Sequence, residues 1–252
     1  MTRSSIAFVT GTSSGLGRAL AERLLATGWQ VHGCSRRPND LENLHHRSCD
    51  ITDYALLAET LERLVGALPK LDLVVLNAGI LGRVQQLTET PMAEAKRVME
   101  TNLWANKAIM DWLYQWGRPV QQVVMISSGA AVLGNKGWGS YGLSKAALNM
   151  LAKLYAHEFP HTHITALAPG IIDTAMMVHL CEEADADTFP ALRRLREARG
   201  TDAMPTPEEA AERILSILPR LTEYPSGSFV DIREILDPEA YTRLYGKPPS
   251  GN

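Results

Sequence analysis

Short apolar runs alternate with segments of helical periodicity along almost the whole chain. The first run, Ile6–Thr10, stops at the turn GTSSGLG, after which Leu16, Leu20 and Leu24 recur every fourth residue, a spacing that is typical of a helix. The run LDLVVLN at 71–77 is apolar without alternation, as expected of a strand that is covered on both faces. Such an alternation predicts an α/β fold, with one parallel sheet and helices on both of its faces.

The same periodicity predicts the remaining elements. Strands are expected at 29–35, 122–127, 163–168 and 228–232, and helices at 53–68, 91–116, 141–155 and 207–218. The stretch from about 174 to 207 departs most from the alternation, and we expect it to form a substrate lid above the carboxyl ends of the strands. A short tail at about 237–252 ends the chain. Because no composition shift marks a boundary, 1–252 is predicted to be a single doubly wound domain of about seven strands.

Composition limits the classes of function. The chain has 25 Lys and Arg against 28 Asp and Glu, for a net charge of −3, so it offers no broad basic surface for nucleic acid or an anionic membrane. No apolar run approaches the roughly 18 residues of a membrane span. Three scattered cysteines, Cys34, Cys49 and Cys181, support neither a disulfide framework nor a metal site and favour a reducing, cytoplasmic location.

A glycine-rich turn joins the first strand to the first helix. Gly11, Gly15 and Gly17 permit a tight turn in which backbone N–H groups approach a pyrophosphate at the helix N-terminus. The hydroxyl groups of Thr12, Ser13 and Ser14 could add further donors. The turn therefore predicts nucleotide binding. The same residues also fit the G-x-S-x-G elbow of a serine hydrolase. That alternative is disfavoured because no earlier strand precedes this one to supply an oxyanion hole.

The residues after the second strand bear on which nucleotide is bound. The strand ends in Ser35, Arg36 and Arg37, at the position where a carboxylate would bind the 2′-hydroxyl of NAD and where arginine suits a 2′-phosphate. A solvated basic pair in a loop is the alternative interpretation. Taken with the glycine turn, the two arginines favour NADP(H) over NAD(H).

A tyrosine and a lysine indicate acid–base chemistry. Tyr141 and Lys145 are four residues apart on a predicted helix, so their side chains share a face. A tyrosine has a pKa near 10, and a neighbouring ammonium is expected to lower it, which suits proton transfer at a carbonyl or alcohol oxygen. A chance pair on a helix surface is the alternative. Ser128, thirteen residues before Tyr141 at the end of a buried strand, favours the catalytic interpretation.

Together these motifs resemble the short-chain dehydrogenase/reductase family, in its short single-domain branch with a Rossmann-type sheet. The resemblance covers nearly the whole chain and rests on TGTSSGLG, CDIT, NAG, Asn102, ISS, YGLSK and PGIIDT, in that order. It implies that Tyr141 is the acid/base, that Lys145 lowers its pKa and holds the nicotinamide ribose, and that Ser128 polarises the substrate oxygen. Asn102 would position a water in the proton relay.

The resemblance also implies the cofactor contacts. Asp50 and Ile51 would flank the adenine, 77–79 the adenosine side, and Ile172 and Thr174 the carboxamide. The full set is Gly11, Ser13, Ser14, Gly15, Leu16, Gly17, Ser35, Arg36, Arg37, Asp50, Ile51, Asn77, Ala78, Gly79, Tyr141, Lys145, Pro169, Gly170, Ile172 and Thr174. Many NADP-dependent members carry a basic residue where this chain has Ser14, so recognition of the 2′-phosphate would depend on Arg36, with Ser35 and Arg37 assisting.

Within the family, the segments around PGIIDTAM and FVDIRE are similar to the sepiapterin reductase and bacterial benzil reductase group. This implies NADPH-dependent reduction of a ketone or vicinal diketone, reversible as alcohol oxidation, and a homodimer or homotetramer. Trp138 would form a flat substrate wall or anchor its own loop, and Met176 and Met177 would adapt to substrate or pack in the core. The alternative function is a non-catalytic NADP-binding sensor on the same fold.

Overall fold

The computed structural model describes residues 4–183 and 187–246. Its seven strands form one parallel sheet in the order β3-β2-β1-β4-β5-β6-β7, which confirms the predicted doubly wound α/β fold. The strands are β1 (Ile6–Thr10), β2 (Gln30–Ser35), β3 (His45–Ser48), β4 (Leu71–Leu76), β5 (Val120–Ile126), β6 (His163–Ala168) and β7 (Ser228–Asp231). The strand order reverses between β1 and β4, the position at which open α/β sheets bind ligands.

Eleven α-helices are found in the described residues. They are α1 (Gly15–Ala26), α2 (Tyr54–Leu61), α3 (Met92–Met99), α4 (Ala105–Trp116), α5 (Ala130–Leu133), α6 (Gly139–Glu158), α7 (Ala175–Glu183), α8 (Ala191–Ala198), α9 (Pro207–Leu221), α10 (Ile232–Leu236) and α11 (Pro238–Tyr245). Side-chain caps fix four starts. Asp53, Asp231 and Asp237 accept hydrogen bonds from the backbones of α2, α10 and α11, and Thr206 forms a capping box with Glu209 at α9.

The core lies on both faces of the sheet because successive strand residues point to opposite sides. In β1, Ile6 and Phe8 face one cluster, which α2, α4 and α6 complete. Ala7 and Val9 face the other cluster, covered by α1 and α9. This two-sided burial explains why β1, β4 and β6 are mostly apolar, with no regular alternation of apolar and polar residues.

Two local features differ from the predicted elements. The helix predicted over 91–116 is three consecutive pieces, since π-helical turns at Glu100–Trp104 join α3 to α4. A similar π-helical segment, Glu62–Gly66, continues α2. The edge strand β3 has the sequence HHRS and is largely exposed, so it carries none of the apolar pattern by which the other strands were predicted.

The segment predicted as a lid contains α7 and α8. Leu180, Leu192 and Leu195 pack there with Phe189 and Met204 in a third apolar cluster. Three expectations stay predictions: a single domain over 1–252, a lid at 174–207 and a tail at 237–252. Within the lid, 184–186 lie outside the described residues, as do 247–252 of the tail. Among the described helices, none is long and apolar enough to cross a membrane.

Candidate active site

A cleft of about 1090 Å³ opens at the carboxyl ends of the strands. All of the site residues predicted from the sequence line this cleft except Gly17 and Asn102. One end of the cleft is formed by the glycine turn and the residues that follow β2 and β3. The other end is formed by the residues that follow β5 and β7, by the start of α6, and by α7 and α8.

The glycine turn has the backbone that a phosphate cradle needs. Gly11 and Gly15 have φ of 78° and 55°, in the left-handed region that side chains with a Cβ disfavour. Gly17 does not line the cleft but packs behind it: a Cβ there would lie 2.4 Å from both the Gly11 carbonyl oxygen and Asn77 Nδ2. The turn is therefore held tight against β1 and β4, with the start of α1 facing the cleft. These residues fit a dinucleotide pyrophosphate.

The end of β2 is joined to the glycine turn by an arginine. Arg37 Nη2 donates to Ser14 Oγ at 2.8 Å, and Arg36 lines the cleft beside it with an exposed side chain. Ser35 is buried and donates to the Arg37 carbonyl at 2.8 Å, so its hydroxyl shapes this loop. The two guanidinium groups lie where the second strand ends, which fits an anionic group attached to the ribose.

The Asp50 carboxylate lies on the same side of the cleft. Hydrogen bonds from Thr52, first from its backbone N–H, hold the pKa of Asp50 below its usual value, and the charge of Arg36 contributes. Asp50 is therefore ionised at neutral pH and orders the loop that follows β3. Sequence reasoning missed Asn39, whose Nδ2 donates to the Thr12 carbonyl at 2.5 Å and ties the loop after β2 to the turn.

Helix α6 brings Tyr141 and Lys145 to the middle of the cleft. Lys145 is 4% exposed, and its Nζ donates to the Ile126 carbonyl at 2.7 Å while lying 5.6 Å from the centroid of the Tyr141 ring. Burial lowers the pKa of Lys145 to about 8. The carbonyl at the end of β5 thus fixes the amine beside the tyrosine, where it can act on the phenolic oxygen by its charge.

The pKa of Tyr141 is raised in this structure, whereas the sequence predicts a lowered value. Burial raises the pKa of Tyr141 above its ordinary value, and the hydrogen bond with Ser128 offsets this in part. The lowering expected from the sequence is not found in this structure, because the cost of removing a phenolate from water has the largest influence on this pKa. Ser128 also accepts a hydrogen bond from the Ala130 N–H at 3.1 Å, so Ser128, Tyr141 and Lys145 are brought together.

Asn102 lies behind this group, in the π-helical turn between α3 and α4. Its buried amide pairs with Ile80 in both directions, each at 2.8 Å, and donates to Ser144 Oγ at 2.9 Å. It therefore ties the loop after β4 to α6. A Cβ added at Gly79 would lie 3.1 Å from Asn102 Oδ1 and 3.6 Å from Lys145 Nζ, so only a glycine backbone separates the two. Positioning of a water by Asn102 stays a prediction.

The remaining predicted residues form the apolar end of the cleft. Trp138 precedes α6, its ring lies 6.2 Å from that of Tyr141, and it packs against the cluster of α7 and α8. Its indole Nε1 is buried without a hydrogen-bond partner in the described part of the chain. Both interpretations of Trp138 are thus compatible with its position. Met177 packs against the same cluster, whereas Met176 is exposed at the cleft.

Sequence reasoning missed two arginines at this end, Arg194 of α8 and Arg233. Arg233 lines the cleft together with Leu244 of α11. Arg233 follows the last residue of β7 by two positions, so the rule that ligands bind at the carboxyl ends of strands could have found it. Among the described residues, no group of three or more His, Cys, Asp or Glu side chains could hold a metal ion.

Comparisons with known proteins agree with this geometry. A family model described as short chain dehydrogenase matches residues 5–185. The (S)-benzoin-forming benzil reductase of Bacillus subtilis is 28% identical over 242 residues, 90% of this chain and 98% of that protein. The 3-oxoacyl-acyl-carrier-protein reductase of Salmonella typhimurium is 32% identical over 195 residues, 72% of this chain and 79% of that protein.

A solved structure supports the fold independently. A short-chain dehydrogenase/reductase from Saccharomyces cerevisiae superposes with a TM-score of 0.81 at 24% identity, over 95% of this chain and 99% of that one. The family model spans more than half of the sequence, and the two relatives named above are oxidoreductases. The predicted resemblance is therefore confirmed: the chain belongs to the short chain dehydrogenase family and is an oxidoreductase that acts on CH–OH and C=O groups.

Proposed function

We propose that this protein is an NADPH-dependent carbonyl reductase that reduces a ketone or vicinal diketone, and oxidises the alcohol in reverse, with Tyr141 as acid/base. The observation that carries the proposal is the meeting of Tyr141, Ser128 and buried Lys145 in the middle of one cleft. The glycine turn and two arginines lie toward one side of this group, and an apolar wall lies toward the other. Similarity to benzil reductases supports the same substrate class.

The protein residues manage the substrate oxygen and its proton. A reduced nicotinamide held in this cleft would supply the hydride that the carbonyl carbon accepts. The Ser128 hydroxyl donates a hydrogen bond to the carbonyl oxygen and increases the positive character of its carbon. Tyr141 transfers its phenolic proton to that oxygen, which completes the alcohol and leaves a phenolate. The ammonium of Lys145 stabilises that phenolate until a proton from solvent restores the acid.

The pKa directions suit this sequence of steps. Because burial raises the pKa of Tyr141, the tyrosine is protonated at neutral pH and begins reduction as an acid. Because the pKa of Lys145 is about 8, its ammonium form predominates at pH 7. Both groups are therefore in the form that reduction needs, and oxidation of the alcohol would be favoured at higher pH.

The preference for NADPH depends on the loop after β2. Arg36 and Arg37 lie at the cleft, and Arg37 is oriented by Ser14. A 2′-phosphate would accept hydrogen bonds from both guanidinium groups, whereas the ribose hydroxyl of NADH would leave them without an anion. We therefore expect the difference between the two cofactors to come mainly from these side chains.

The alternative that the sequence left open, a catalytically inactive NADP-binding sensor, is disfavoured by the match to oxidoreductases. A sensor would gain nothing from Lys145, whose burial carries a large desolvation cost. One assay distinguishes the two functions. It follows the loss of NADPH absorbance at about 340 nm in the presence of aromatic diketones, simple ketones, aldehydes or a pteridine ketone. Turnover supports the reductase, and tight NADPH binding without any turnover supports the sensor.

Assembly and location form part of the same proposal. Leu143, Met150 and Leu154 of α6 are each more than half exposed, and their spacing places them on one helix face. The exposed Tyr114 of α4 adds to the apolar surface. Such surface supports a homodimer or homotetramer, which light scattering would measure.

Cys34 and Cys49 are buried free thiols, which supports a reducing cytoplasmic location.

A further inference from the structure

A buried carboxylate organises the residues that follow β7. Asp231 is fully buried and accepts two parallel hydrogen bonds from Arg233, from Nε at 2.8 Å and from Nη2 at 2.6 Å. The Tyr245 hydroxyl, at the end of α11, donates to the same carboxylate at 2.8 Å. The guanidinium is thus held in one orientation by a paired fork, and the last helix is fastened to it.

This group lies beside the segment that carries the catalytic serine. A Cβ built on Gly129 would lie 3.1 Å from the Tyr245 hydroxyl oxygen and 3.8 Å from Arg233 Nη2. Gly129 directly follows Ser128, and Arg233 lines the same cleft with about a quarter of its side chain exposed. Arg233 therefore lies beside the segment that carries Ser128 and lines the same cleft as Ser128 and Tyr141.

The charges of Arg233 and Asp231 determine what kind of ligand group Arg233 can bind. A guanidinium has five N–H donors. Asp231 uses two of them and the Tyr245 hydroxyl is bonded to Arg233 as well, which still leaves donors for a ligand. Because the fully buried Asp231 already balances the arginine charge, the pair as a whole is neutral. A neutral oxygen acceptor can be bound without disturbing the ion pair, whereas an added carboxylate would face Asp231 as a second negative charge.

We infer that Arg233 is a specificity-determining residue that donates a hydrogen bond to the second carbonyl oxygen of a vicinal diketone, while Ser128 and Tyr141 hold the reacting one. The inference rests on the proposed carbonyl reductase function and names the substrate feature that this cleft selects. Asp231 and Tyr245 are positioning residues that hold Arg233 in place. A monoketone would occupy the same site but leave the arginine donors unused.

The test compares two substrates that differ only in the second carbonyl: benzil and deoxybenzoin, in which that carbonyl is a methylene. The variants are Arg233→Lys, which keeps a cation beside Asp231, and the double change Asp231→Asn with Arg233→Gln, which replaces the ion pair by a neutral amide pair. Arg243→Lys, an exposed change on α11, is the matched control. The measured quantity is kcat/KM for each substrate, with the inhibition constant of deoxybenzoin against benzil as a second comparison.

Loss of a hydrogen bond from a charged donor is expected to lower the benzil-to-deoxybenzoin ratio of kcat/KM by about 10- to 30-fold in both Arg233 variants. In Arg243→Lys we expect the ratio to stay within about twofold of the wild type. An equal loss for both substrates, or a ratio within about threefold of the wild type, would overturn the role of Arg233. Preference of the wild type for phenylglyoxylate, an anionic keto acid, over benzil would also overturn it.

Failure of the underlying function gives a different result. Wild-type protein that binds NADPH but reduces neither substrate contradicts the reductase itself. Wild-type protein that reduces benzil, with an unchanged substrate ratio in folded Arg233 variants, contradicts only the role of Arg233. Thermal unfolding of each variant identifies which of them are folded. If Arg233→Lys destabilises the loop after β7, the double variant Asp231→Asn with Arg233→Gln serves as the folded variant.

Discussion

Replacement of Lys145 by methionine is expected to make the free protein more stable while it removes activity. Burial lowers the pKa of Lys145 from 10.5 to about 8, and each pKa unit corresponds to about 1.4 kcal/mol. The charged amine therefore destabilises the folded state by about 3 kcal/mol at pH 7. Methionine leaves the Ile126 carbonyl without its donor, which costs about 1 kcal/mol. The net expectation for Lys145→Met is a gain of about 2 kcal/mol in the free energy of unfolding.

The sign of the pH dependence makes this prediction specific. Below about pH 8 the lysine is charged in both the folded and the unfolded wild type, so the full penalty is present. As pH rises from about 8 towards 10.5, the folded state loses the proton first, and the penalty fades. The stability advantage of Lys145→Met should therefore be largest at pH 7 and should shrink by pH 10.

Urea unfolding of the cofactor-free wild type and Lys145→Met, at pH 7 and at pH 10, measures both quantities. Lys153→Met, a change at an exposed lysine on the same helix, controls for the substitution itself and is expected to move the free energy of unfolding by less than about 0.5 kcal/mol. A Lys145→Met protein less stable than the wild type at pH 7, or a difference that does not change with pH, would refute the reasoning.

Three further changes test other parts of the site. Gly17→Ala places a Cβ 2.4 Å from two atoms behind the turn, so we expect NADPH affinity, measured by fluorescence titration, to fall at least about tenfold. An unchanged affinity would contradict a tightly packed turn. Arg36→Ala with Arg37→Ala should raise the KM for NADPH by about 10- to 100-fold and leave that for NADH nearly constant; equal effects on both cofactors would count against 2′-phosphate recognition. Asp53→Ala should lower the free energy of unfolding by about 1 kcal/mol through loss of the α2 cap, and no change in urea unfolding would contradict that estimate.

The sequence predicts the sheet well because its evidence is local. Buried parallel strands need mostly apolar residues on both faces, and β4 and β6 are largely apolar without regular alternation. The glycine turn was equally visible because glycine adopts the φ values found at Gly11 and Gly15 far more readily than other residues do. The edge strand β3 lacked such evidence, since its exposed side chains are polar and its backbone pairing with β2 leaves no pattern in the sequence.

Features that depend on distant contacts could not be predicted in the same way. The raised pKa of Tyr141 results from burial in the assembled cleft, whereas the sequence shows only its spacing from Lys145. The position of Arg233 depends on Asp231 and on Tyr245 of α11, and the meeting of these elements is a property of the fold. The motif FVDIRE contains the two charged residues, but sequence spacing cannot show that they reach the segment after Ser128.

The most direct test of the central claim is the rate of NADPH oxidation with benzil in the wild type and in Tyr141→Phe, followed at about 340 nm. Tyr155→Phe, on the same helix but bonded to Asp111 away from the cleft, is the matched control. If Tyr141 is the proton donor, kcat falls by about 10²- to 10⁴-fold in Tyr141→Phe, the Kd for NADPH changes by less than about threefold, and Tyr155→Phe keeps most of its rate. A Tyr141→Phe protein that retains more than about a tenth of the wild-type kcat would contradict the account.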